Sequence, residues 1–188
     1  VTQSLVFPKS KKYFAINVKM KNVGTSTMGQ VKYRRITDWD FNSSAGNEAY
    51  DWIQDITGIP AMVATRDGIY GAVAVLPQYS AAKWDANGWN DQSAWNETID
   101  VSDPNGGRSD YNSMIQWERT NLLPGETYEI TFLYLCGDSL DQIVALYNEA
   151  KAFFSGSLLK PTKDLAEFGN WRNNAVKFVV NITDVPYG

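Results

Sequence analysis

The chain contains no histidine and a single cysteine, Cys136. These two absences exclude more chemistry than any motif supplies. Serine or cysteine nucleophiles activated by an imidazole, histidine-ligated metals and cysteine-rich zinc sites all need residues that are missing. An internal disulfide needs a second thiol. Cys136 closes the apolar run Tyr134-Leu135-Cys136-Gly137, where a free thiol is expected as a buried packing group. Positive charge is also scarce, with 17 Lys and Arg against 21 Asp and Glu and a net charge of −4. Nucleic-acid modules usually carry a clustered basic face, and this chain is expected to have no nucleic-acid partner. Its nearest basic clusters are Lys9, Lys11 and Lys12 and then Lys32, Arg34 and Arg35, the second split by strand geometry, since Lys32 and Arg34 share one face and Arg35 points to the other. No apolar run reaches the roughly 18 residues of a membrane span, so this segment is expected to insert in no membrane. The opening Val1-Thr2-Gln3 has no charged-then-apolar character, and the chain reads as a single domain over 1–188, excised from a larger secreted or surface protein.

What is present is apolar and aromatic: 44% of the residues are hydrophobic and 13% aromatic, enough for a sizeable core. Tyr13 to Met20 alternates, with Phe14, Ile16, Val18 and Met20 on one face, as a half-buried strand does. Gln30 to Trp39 follows the turn-rich Lys21 to Ser26, and its alternation slips near Arg35. An antiparallel pair with a bulge is the expected arrangement. Ala61 to Thr65 and Ile69 to Leu76 flank Arg66-Asp67-Gly68, a hairpin signal because Asp-Gly accommodates positive φ. Thr127 to Leu135 carries Tyr128, Ile130, Phe132 and Tyr134 on one face, and Thr131, Leu133 and Leu135 make the other partly apolar, as in a central strand. Ile115 to Thr120 reads as a short strand, and Val176, Phe178, Val180 and Ile182 mark a final one.

One helix is expected, over Leu140 to Phe154 within a window near residues 139–155. Ser139 and Gln142 form a capping box, and Leu140, Ile143, Val144, Tyr147, Ala150 and Phe154 recur at helical spacing. The fold class is therefore mainly β: an antiparallel sandwich, of ordinary or supersandwich size, carrying one amphipathic helix.

Asp38-Trp39-Asp40-Phe41-Asn42 sets oxygen-bearing side chains at alternate positions, a spacing that suits Ca²⁺. It is not an EF-hand, because Ser43 and Ala49 stand where that loop needs glycine and glutamate. The plainer alternative is a strand end whose aspartates form turn hydrogen bonds. Asp85 to Asp91 repeats the alternation in ordinary turn chemistry. Trp84, Trp89 and Trp95 lie among amides and carboxylates in the polar stretch Gln78 to Asp110. They either bind a sugar, whose C–H face stacks on indole, or pin a long irregular loop to the sheet. Asp91, Glu97, Asp110 and Glu118 are available for acid-base work, yet no spacing selects a pair. Sequons at Asn42, Asn96 and Asn181 fit an extracellular chain.

The turn Asn22-Val23-Gly24, the strand Val31 to Asp40 with its Arg35-Ile36-Thr37-Asp38-Trp39-Asp40 end, and Gly137-Asp138-Ser139-Leu140 before a helix resemble sandwich domains of large secreted or cell-surface proteins of archaea and bacteria. Some such domains are supersandwiches related to sugar mutarotases and to accessory domains of carbohydrate enzymes. The mutarotase histidines have no counterpart here. The resemblance implies an extracellular or cell-surface location and no catalysis. Residues and resemblance together give a non-enzymatic structural or adhesive module, with carbohydrate or other cell-surface proteins as partners. A carbohydrate-active enzyme or its accessory domain is the alternative.

Overall fold

The alternating runs assemble into two sheets, one long helix and one short helical turn in a computed structural model that describes residues 1–41, 48–77, 83–88 and 111–156. In chain order the elements are β1 (Thr2–Val6), β2 (Tyr13–Lys21), β3 (Met28–Asp38), β4 (Ala49–Trp52), α1 (Gln54–Thr57), β5 (Ala61–Arg66), β6 (Ile69–Val75), β7 (Lys83–Gly88), β8 (Tyr111–Leu122), β9 (Thr127–Gly137) and α2 (Leu140–Gly156). A wide sheet has the order β1-β2-β9-β6-β5-β4, and a narrow sheet has the order β3-β8-β7. Every pairing among them is antiparallel.

Strand β9 explains the layering. Ile130, Phe132 and Tyr134 enter the core between the sheets, while Leu133 and Leu135 enter a second core beneath α2. A strand buried on both faces is apolar at successive positions, which is why Thr131, Leu133 and Leu135 break the simple inside-outside alternation. The inter-sheet core is rich in rings: Trp39, Trp117, Tyr50, Tyr134, Phe41 and Phe132 all have under 2% or about 2% of their surface exposed. The second core is aliphatic on the sheet side, with Ala61, Val63, Ala72, Ala74 and Leu76 receiving the helix.

Helix α2 starts as the sequence predicts. The Gln142 N–H donates to Ser139 Oγ at 3.2 Å, and the Gln142 amide oxygen accepts from the Asp138 N–H at 2.9 Å. The return contact reaches one residue before the cap, and the space it needs is provided by Gly137, where a Cβ would lie 2.9 Å from Gln142 Oε1. Ile143, Tyr147, Ala150 and Phe154 are buried, and the Tyr147 hydroxyl donates to the Val75 carbonyl at 3.0 Å. Leu140 and Val144 are only partly buried, because they flank the buried stripe.

The Asp67-Gly68 hairpin forms as expected, with φ of 50° and 77° at the two turn residues joining Arg66 to Ile69. The expected pairing of β2 with β3 does not form. Strand β2 pairs with β1 and β9, and β3 belongs to the other sheet. Nor is there a bulge near Arg35: the β3–β8 register runs unbroken from Gln30 to Asp38. The apparent slip arises because two polar residues, Arg35 and Thr37, occupy inward positions and are buried at 6% and 4% exposure, while Ile36 faces out against Met114.

Two of the crossings between the sheets, the β2–β3 turn and the β8–β9 turn, meet at Asn22. Its side chain donates to the carbonyls of Leu122 and Ser26, each at 2.9 Å, and accepts from the Gly24 N–H at 3.0 Å. Its backbone bonds to Glu126 and Gly125. Pro124 followed by Gly125 at φ 81° makes the partner turn, with Glu126 N–H donating to the Leu123 carbonyl at 3.0 Å. The Asn22-Val23-Gly24 turn is thus an inter-sheet clasp. Cys136 is half-buried rather than fully buried. The expected strand through Val176, Phe178, Val180 and Ile182, and the sequons Asn42, Asn96 and Asn181, lie outside the described residues.

Two substitutions test the two cores. Ile143→Ala removes a fully buried side chain between α2 and the sheet and is expected to cost about 2 to 5 kcal/mol. Glu149→Ala, whose side chain is 43% exposed against Lys11, is expected to cost less than about 1 kcal/mol. Equal urea midpoints for the two would mean the helix does not pack. Gly71→Ala places a Cβ 2.2 Å from Trp39 Cζ3 and 3.0 Å from Phe41 Cζ. Trp39 cannot yield easily, because its Nε1–H donates to Ser113 Oγ at 2.7 Å in the core. This overpacking is expected to cost about 2 to 3 kcal/mol in the same melts.

Candidate functional site

Both faces of the wide sheet and the inner face of the narrow sheet are used in packing; the outer face of the narrow sheet carries the polar chemistry. Strand parity sets its membership. Val31, Tyr33 and Trp117 turn toward the core, so the even-numbered residues of β3 and β8 turn outward. Lys32 and Arg34 therefore share the outer face and Arg35 the inner one, as the sequence predicts. Register then aligns Arg34, Gln116 and Lys83 in one row across the three strands, and Lys32 with Glu118 in the next.

A directional hydrogen-bond ladder runs across these rows. Arg34 Nε and Nη2 both donate to Gln116 Oε1, at 2.9 and 2.7 Å. The Gln116 amide nitrogen donates to Glu118 Oε1 at 2.6 Å, and Gln30 Nε2 donates to Glu118 Oε2 at 3.4 Å. Because a guanidinium only donates and a carboxylate only accepts, the two ends fix which way the Gln116 amide points. Gln116 is 2% exposed and the adjacent Met114 1%, so the centre of the ladder is held in a shielded position while its ends are more open. Further along the strand, Asp85 sits opposite Met114 and its Oδ1 accepts the Ala86 N–H at 2.8 Å. The face offers cationic donors, amides and carboxylates within a few strand spacings of about 5 Å. That mixture suits hydroxyl-rich ligands, which need donors and acceptors side by side.

The residues singled out from sequence fall in three places. Asp38 ends β3 half-buried and Asp40 is exposed, with Trp39 and Phe41 turned into the core between and beyond them. The two aspartates are thus on the same side of the chain, as the calcium reading requires; Asn42 lies outside the described residues. Among the described residues no three His, Cys, Asp or Glu side chains gather as a metal-binding group. Trp84 is 5% exposed and packs in the inter-sheet core. Its indole is committed to packing, the plainer of the two sequence readings, while Trp89 and Trp95 lie outside the described residues. Of the candidate acids, Glu118 is in the ladder, and Asp91, Glu97 and Asp110 lie outside the described residues. Burial pushes the Cys136 thiol up, away from the thiolate a nucleophile needs. Among the described residues no helix is long and apolar enough to cross a membrane.

Arg34, Gln116 and Gln30 were not selected by sequence. Glutamine carries no motif, and the ladder becomes visible only when β3 is paired with β8, 82 residues away in the Arg34–Gln116 contact.

No family model and no curated protein matches the sequence. Solved structures do match the fold. One is a bacterial glucoamylase complexed with acarbose, similar with a TM-score of 0.53 at 13% identity over 80% of this chain. The match spans 22% of that glucoamylase chain. The likeness is one of fold alone: this chain is a mainly antiparallel β-sandwich.

Proposed function

We propose that this chain is a non-enzymatic extracellular or cell-surface module, structural or adhesive in role, that binds carbohydrate on the outer face of its narrow sheet. The observation that carries this reading is the Arg34–Gln116–Glu118–Gln30 ladder. It is an oriented set of donors and acceptors held on a sheet face rather than on loops, and rigid placement lowers the ordering cost of binding. The fold shared with a glucoamylase named as complexed with acarbose supports sugar as the ligand class. It also supports the second reading, an accessory domain of a carbohydrate-active enzyme. Trp89 and Trp95 are proposed to add stacking surfaces for a sugar ring.

Binding of a panel of neutral oligosaccharides, acarbose included, tests this by titration calorimetry. Arg34→Ala combined with Gln116→Ala is expected to weaken the tightest ligand at least about tenfold, equivalent to roughly 1.4 kcal/mol. Absence of any binding, or unchanged affinity in the double variant, overturns the reading.

Ca²⁺ is proposed as a second ligand, held by Asp38 and Asp40 with Asn42. A cation bound only by the folded state stabilises it by mass action, by about 2.7 kcal/mol at a hundredfold excess over Kd. Chelation with EDTA is therefore expected to lower Tm by roughly 5 to 10 °C for a domain of this size. An Asp38→Asn, Asp40→Asn variant should melt at the lower temperature with or without EDTA. Identical melting curves for the native protein before and after chelation exclude the site.

A further inference from the structure

We propose that Arg35 is the centre of an anion subsite at the seam between the two sheets, which takes the carboxylate of a small ligand. The subsite is separate from the outer-face ladder and does not rest on it: Arg34 and Arg35 are neighbours in sequence but face opposite sides of β3.

The argument starts from an uncompensated charge. Arg35 is 6% exposed, and buried cations are ordinarily paired with an acid, because removing an ion from water is costly. Arg66, whose side chain is 16% exposed, follows that rule with Glu48 at 3.2 Å and Asp67 at 3.5 Å. Arg35 does not. Its Nε donates to the Tyr134 hydroxyl at 2.7 Å, and its guanidinium carbon lies 5.9 and 5.5 Å from the ring centroids of Phe132 and Tyr134. Among the described residues its surroundings are neutral and no carboxylate lies within ion-pair distance of it.

The rest of the environment is built for a polar guest. The Tyr134 hydroxyl is 2.8 Å from Thr37 Oγ1, and Tyr33 lies on the same inward row of β3 and next to the guanidinium. Two phenols and the Thr37 hydroxyl thus surround a planar fork of donors, whose Nε donates to Tyr134 and which also interacts with the Tyr33 hydroxyl. A guanidinium fork matches a carboxylate in two parallel bonds, and the aromatic faces hold the fork in one plane. Among the described strands β3 lies at the edge of the narrow sheet, and from it Arg35 reaches across to Phe132 and Tyr134 of β9 in the wide sheet.

Thermal melts at low ionic strength decide this, with acetate, glucuronate and glucose as probes. At a hundredfold excess over Kd a bound carboxylate is expected to raise Tm by roughly 5 to 10 °C. Acetate and glucuronate should both raise it, and any rise with glucose, which the outer-face ladder would give, should vanish in Arg34→Ala. A larger shift with glucuronate identifies a sugar acid as the source, and equal shifts identify the carboxylate alone, as an acidic side chain would present it. Both outcomes support the subsite. Arg35→Met should abolish the shift while melting, without ligand, at or above the native temperature, because it removes an unpaired buried charge and keeps the apolar stem. Should Arg35→Met fail to fold, Arg35→Lys decides: it keeps the charge, loses the fork and should at least halve the shift. Arg34→Ala should leave the shift intact. No rise with acetate or glucuronate in the native protein, an equal rise with glucose in Arg34→Ala, or an undiminished rise in Arg35→Lys overturns the proposal.

Discussion

Burial of the wide sheet on both faces is the constraint from which the other layers follow. Tyr134 and Leu135 are adjacent on β9, yet each is at most 2% exposed and each lies in a different core. A sheet with two apolar faces requires two covers. The narrow sheet supplies one, meeting Phe132 and Tyr134 with Trp117, Tyr33 and Trp39 at ring-centroid separations of 5.2 to 6.3 Å. Helix α2 supplies the other. Once the helix is placed, the small residues Ala72 and Ala74 of β6 and Ala61 of β5 make physical sense, since a helix approaches a sheet closely only where side chains are short.

Covering the wide sheet with a second sheet requires the chain to cross between them, and those crossings carry their own chemistry. Asn22 binds two of the crossings, β2–β3 and β8–β9, through side chain and backbone together. Such a buried amide is costly unless its donors and acceptor are matched, and here they are. The turn that a sequence reader takes for a hairpin connection is instead the point where the two layers are clasped. Gly71 plays a matching part within the core, because the close approach of Trp39 leaves no room for a Cβ at that position.

Strand parity then sorts the functional groups. On β3 the outward residues build the ladder with β8, while the inward Arg35 and Thr37 reach the Tyr134 hydroxyl of the opposite sheet. The same eleven-residue strand therefore supplies polar groups to two separate environments: a sheet face with charged ends and a ring-lined seam. Trp84 illustrates the sorting in the other direction. It belongs to a polar stretch of sequence, but its place on β7 opposite Ile115 turns it into the core.

Local physics alone determined much of this protein. The alternation of β2, the Asp67-Gly68 turn, the capped start of α2 and the double-sided character of β9 all follow from residue spacing and turn chemistry within about a dozen residues, and all are present in the structure. The missing histidines and second cysteine settled by themselves which catalytic and metal chemistries are excluded. Which strands pair was decided only in three dimensions. Partner choice depends on loop closure and on packing across layers, and adjacent strands such as β2 and β3 leave the same local pattern whether they pair or part. The ladder was hidden for the same reason: Arg34 and Gln116 are ordinary polar residues until register sets them side by side. Arg35 was legible only as an irregularity in an alternating pattern, because a cation facing a core violates the rule that pattern rests on, and only the opposing Tyr134 hydroxyl and the rings of β9 explain why it can lie there.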